Sequence, residues 1–117
     1  MKRVLAAGLA LAASTLALGQ DAPAMPKFTL EQFRAIADDV CLKSVVTPPP
    51  FGEGDLKGDP QLPAYCKCFS DKFGDRAYKL SQGLMVHQPP KESLAGQRAM
   101  RNTCRAQLGL QQIAFKP

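Results

Sequence analysis

Four cysteines in a chain of 117 residues, two of them one residue apart, constrain this fold more than any other feature. They are Cys41, Cys66, Cys68 and Cys104. The close pair sits in "YCKC", at the start of a stretch whose apolar residues recur at helical spacing. Side chains two apart on an α-helix diverge by about 200° around its axis. Cys66 and Cys68 therefore face away from each other, and bonding them together would break the helix. Each can instead reach a different neighbour. Four cysteines allow three pairings, and helix geometry disfavours the one that joins Cys66 to Cys68. Two remain open: Cys41–Cys66 with Cys68–Cys104, or Cys41–Cys68 with Cys66–Cys104.

The flanking sequence supplies the helices. In "FTLEQF", Thr29 with Gln32 three residues on makes a capping box, and Phe28 with Phe33 fits a hydrophobic staple. Phe33, Ile36, Ala37, Val40 and Ser44 then recur at helical spacing, which predicts helix 1 over about 29–46. The Pro- and Gly-rich stretch 47–63 ends it and is expected to hold no regular element. Cys66, Phe69, Phe73, Ala77, Leu80 and Leu84 predict helix 2 over about 63–84, with Gly74 a weak point. Pro89 and Pro90 suit the start of helix 3, about 90–109, whose stripe is Leu94, Met100, Cys104 and Leu108 and whose cap is Gly109. Ile113 and Phe115 can pack back on the helices. The expected fold is all-α: a small three-helix up-down-up bundle. In such a bundle all four cysteines share one end, so two disulfides can tie helix 2 to both neighbours there. A domain this small often needs such staples.

The N-terminus reads as an export signal. Lys2 and Arg3 precede an apolar run from Val4 to Gly19, with small residues Ala17 and Gly19 placed for cleavage before Gln20. A second cut before Met25 is the alternative. The run is short for a membrane span, which needs about 20 apolar residues. The chain then divides into a signal peptide at 1–19, a loose tail at 20–28 and one disulfide-stapled helical domain at 29–115. Removing Lys2 and Arg3 lowers the formal net charge from +5 to +3, a weak preference for anionic partners. No basic run with interleaved aromatics suggests nucleic acid, and no membrane span remains after cleavage. The expected location is periplasmic or secreted.

Other chemistry finds little support. A redox pair wants Cys-x-x-Cys, one residue longer than the spacing here. Cys66 and Cys68 with His87 make a soft ligand set for copper or zinc, to which Met85 and Met100 could add, but the histidine is single. Glu53, Asp55 and Asp59 approach a calcium loop, yet Lys57 occupies one ligand position before Gly58; a solvated acidic turn fits better. There is no Gly-x-Ser-x-Gly, and Asp38 and Asp39 diverge on their helix. An enzyme is not expected, and no cofactor is.

The cysteine pattern resembles a group of small, exported, mostly uncharacterised bacterial helical proteins: a lone Cys on the first helix, an aromatic-Cys-x-Cys opening the second, and a late Cys. Here those are Cys41, Tyr65-Cys66-Lys67-Cys68 and Cys104, across residues 29–109. The resemblance carries no site residues. What remains is a binding or accessory protein of the cell envelope, of inhibitor, immunity, chaperone or complex-subunit type, with an unknown protein partner. The alternative is a periplasmic copper- or zinc-binding protein using Cys66, Cys68 and His87. Phe51, in the long loop, either tucks onto the bundle or stands out as a partner contact.

Overall fold

The computed structural model describes residues 27–116. The expected signal peptide at 1–19 and all but the end of the expected tail at 20–28 lie outside the described residues. Three α-helices follow in order: α1 Leu30–Lys43, α2 Leu62–Ser81 and α3 Pro90–Gln107. Two short 3-10 turns, Ser44–Val46 and Gly54–Leu56, lie between α1 and α2, and the described residues hold no strand.

Local chemistry sets each boundary. Thr29 Oγ1 accepts from Gln32 N at 3.1 Å, and Thr29 N donates to Gln32 Oε1 at 2.8 Å. This capping box satisfies two groups at the helix start. Phe28 packs edge-on against Phe33 at 5.6 Å, so the staple forms and the tail is anchored at its last residue. After Lys43 the chain tightens into the 3-10 turn, then meets Pro48, Pro49 and Pro50. The α-helix thus ends three residues earlier than expected.

α2 also stops three residues early, at Ser81. Gly83 has φ +73°, and Gly83 N and Leu84 N donate to Leu80 O and Lys79 O at 3.2 and 2.9 Å. That is a Schellman cap, which requires a left-handed residue. Leu84 therefore lies beyond the helix and is 70% exposed, not part of the buried stripe. α3 ends the same way: Gly109 has φ +71°, with Gly109 N to Ala106 O at 3.2 Å and Leu110 N to Arg105 O at 2.8 Å.

Contacts at both ends of α2 give the helix directions. Cys41 is bonded to Cys66, and Phe33 meets Tyr78 at 6.4 Å. Cys68 is bonded to Cys104, and Arg76 Nη1 donates to Ser93 O at 3.3 Å. Each neighbour of α2 is antiparallel to it. Of the two pairings left open, the structure has Cys41–Cys66 and Cys68–Cys104, with Cα separations of 5.5 and 5.8 Å.

The core sits at the disulfide end. Cys41, Leu56, Tyr65, Cys66 and Cys104 are buried together, with Leu62, Cys68, Phe69, Leu108 and Leu110 packed on them. The loop 47–63 is more ordered than its composition suggests. Glu53 N donates to Ser44 O at 3.0 Å and Gly54 N to Thr47 O at 2.8 Å, and the Gly54–Leu56 turn drives Leu56 into the core. The C-terminal segment also packs back. Ile113 is buried, its backbone held by the Asn102 side chain at 2.7 and 2.9 Å. Phe115 lies under the guanidinium of Arg98.

Candidate binding groove and the charge cluster beside it

The Cys-x-Cys spacing has a consequence beyond the staples. Because Cys66 and Cys68 point about 200° apart on α2, their bridges hold α1 and α3 on different sides of that helix. α1 and α3 each pack on α2 but not closely on each other. One apolar face of α2, carrying Phe69, Phe73 and Ala77 at i, i+4 and i+8, stays only half-buried between them. The bundle is open along this side.

The opening is a cleft of about 380 Å³. Its floor is Phe69, Phe73 and Ala77, with Phe69 and Phe73 stacked at 5.5 Å. Phe28, just before α1, and Phe33, Ile36, Ala37 and Val40 of α1 form one wall, and Gln97 faces them from α3. Smaller clefts continue it past Val40 and Phe69 to Phe51, Leu94, Arg98 and Arg101. Large apolar side chains along the groove stay in water: Ile36 is 49% exposed, Val40 61%, Leu94 46% and Phe51 86%. Phe51 thus stands out from the loop and does not tuck onto the bundle. Contiguous exposed apolar surface rimmed by polar residues marks interaction sites in soluble proteins.

A buried charge cluster closes the disulfide end of this groove. Glu53 is 4% exposed, correcting the expectation of a solvated acidic turn. Tyr65 Oη donates to Glu53 Oε2 at 2.5 Å. Arg101 grips both carboxylate oxygens at 2.9 Å and donates to the carbonyls of Pro50 and Gly52. Arg105 donates to Glu53 Oε1 at 2.5 Å, to both Asp55 oxygens at 2.8 and 2.9 Å, and to Gln111 O. Two carboxylates thus meet two guanidiniums. Burial and the Glu53 hydrogen bond push the Tyr65 hydroxyl up to about 12. The Arg105 hydrogen bonds hold the Asp55 carboxyl below its usual value. Burial works against the charges on Arg101 and Arg105, but their carboxylate partners outweigh it and both are raised. Apart from the buried Arg105 Nε, which has no hydrogen-bond partner, these groups satisfy one another, so the cluster fastens the loop to α3.

The sequence reading missed this cluster. Its one signal was Arg101 and Arg105, four apart beside Cys104 on a helix face that also carries Leu108. The residues proposed for metal are not brought together: Cys66 and Cys68 are in disulfides, and His87 is an exposed residue of the α2–α3 connection. Among the described residues, no three His, Cys, Asp or Glu side chains gather as a metal site would need, and no helix is long and apolar enough to cross a membrane. No protein-family model, curated protein sequence or solved structure matches this chain.

Proposed function

We propose that this chain is an exported, non-enzymatic binding or accessory protein of the bacterial cell envelope, acting in the periplasm or after secretion. Its partner is a protein that fills the α1–α3 groove. The observation that carries this reading is the half-buried Phe69–Phe73 floor, walled by Ile36 and Val40, which stay about half in water. Burying such side chains yields roughly 25 cal/mol per Å², so leaving them exposed forgoes stability that a partner would recover. Two disulfides suit an oxidising compartment, as does the signal-like N-terminus.

The test is site-specific photo-crosslinking in cells exporting the protein. A crosslinker at Val40, on the groove wall, is compared with one at Leu42, on the opposite side of α1. A discrete adduct from Val40 and none from Leu42 supports the proposal. No adduct from Val40, or equal adducts from both, counts against it. N-terminal sequencing of the same material should begin at Gln20 or Met25.

A further inference from the structure

The charges around the groove limit what can occupy it, given the binding reading above. Lys91, Leu94 and Arg98 follow i, i+3, i+7 spacing, so they share one face of α3. Leu94 and Arg98 line the cleft beside Phe51. Arg98 stacks on Phe115, which fixes its guanidinium. Among the described residues, neither Lys91 nor Arg98 pairs with a carboxylate. Among the described residues, the only carboxylate lining the connected clefts is Glu53, already held by Arg101 and Arg105. Asp71 and Asp75 lie away from the groove, where Arg34, Lys67 and Lys79 balance them. The α3 rim is therefore an unbalanced cationic edge beside an apolar floor.

The shape narrows the choice further. The floor from Phe69 to Ala77 spans about 12 Å at 1.5 Å per residue, and neighbouring helices pack about 8–10 Å apart. Walls as exposed as Val40 and Leu94 would leave a single acyl chain half in water, while a helix seated on the floor touches both. We propose that the groove binds an amphipathic helix of another protein, with its apolar face on Phe69 and Phe73 and acidic residues on the flank that meets Lys91 and Arg98. The helix would complete a four-helix bundle, a helix-in-groove mode of recognition.

The test uses the oxidised, signal-free protein and two labelled synthetic helices of roughly 16 residues, about 24 Å long. Both carry leucines at i, i+3, i+4 and i+7; one has glutamates on its flank, the other lysines. Anisotropy should show the glutamate peptide binding about tenfold or more tightly than the lysine peptide. The Lys91→Glu/Arg98→Glu variant should reverse that order, and amide shifts should fall on Ile36, Val40, Phe69 and Phe73. Equal binding of the two peptides overturns the proposal, as do shifts elsewhere. It is also overturned if only palmitate perturbs the groove, or if self-association alone covers it. A Val40 adduct in cells with neither peptide binding sinks the acidic-helix proposal and leaves the binding reading standing. Neither adduct nor peptide sinks both.

Discussion

Arg105 Nη2 donates to Glu53 Oε1 at 2.5 Å, across 52 positions of sequence and with both side chains almost wholly buried. This contact joins the late part of α3 to the Pro- and Gly-rich loop and brings Leu56 to the core. It gives a loop of unpromising composition one defined path.

Glu53→Gln should therefore be costly. It removes the charge that two buried guanidiniums share, and breaking a buried pair typically costs about 3–5 kcal/mol. Urea unfolding should show that loss, and Arg105→Lys should also destabilise, since an ammonium cannot reproduce the fork onto Glu53 and Asp55. A loss below about 1 kcal/mol in both, the range of exposed pairs, would mean the cluster is not a clamp.

Acid should weaken the clamp at Asp55. Its carboxyl is held below its ordinary 3.8, chiefly by the Arg105 hydrogen bond. A depressed carboxyl stabilises the fold above its unfolded pKa, and that contribution is lost as pH falls through the folded value. The difference in melting temperature between wild type and Asp55→Asn should thus be present near neutral pH and vanish in strong acid. An acid-independent difference would contradict this.

Tyr65 makes the opposite prediction at high pH. Burial and Glu53 raise its hydroxyl to about 12 from 10.0. A raised pKa contributes stability fully present below 10, and this is lost as pH climbs through the folded value. In a Tyr78→Phe background, tyrosinate absorbance should be half-developed near 12, and Tyr65→Phe should remove this alkaline loss. Half-ionisation at 10 in the folded protein would refute the burial of the hydroxyl.

Gly74→Ala should destabilise, against the usual helix preference for alanine. An added Cβ would lie 2.8 Å from Arg34 Cα and 2.9 Å from Arg34 N, both backbone atoms of α1. Overpacking of this kind costs about 1–3 kcal/mol. At Gly96 the nearest atom is the movable Arg76 Nη1 at 3.0 Å, so Gly96→Ala should cost less. Equal effects in thermal unfolding would argue against tight α1–α2 contact.

Peptide mapping of the unreduced protein should recover Cys41 with Cys66 and Cys68 with Cys104. The converse pairing would displace both helices around α2 and remove the groove. Reduction should lower the melting temperature markedly, since loops of 25 and 36 residues suggest roughly 3–4 kcal/mol per bridge.

Much of this architecture was legible in the sequence because it depends on short-range rules. The Thr29–Gln32 box, the Phe28–Phe33 staple, the proline at the start of α3 and the divergence of Cys66 and Cys68 all act within a few residues. Gly83 and Gly109 act locally too; the cap at Gly83 is what cut α2 short of Leu84. Gly74 looked like a weakness, because its close partner, Arg34, is forty positions away.

Short-range rules along the chain specify three helices, the caps at Thr29 and Gly109, and two bridges from α2 to different neighbours. Which cysteine reaches which neighbour is set by the packing of α1 and α3 on α2, because both choices satisfy the same helix geometry. Tertiary structure also decides that Glu53 is buried and Phe51 exposed. Arg101 and Arg105 draw the acidic side of the loop inward, and no local pattern encodes a charge pair 48 or 52 residues apart. The groove follows from that same level of structure: periodicity marks Phe69, Phe73, Ile36 and Val40 as apolar, but only the placement of α1 and α3 around α2 leaves them partly open to water.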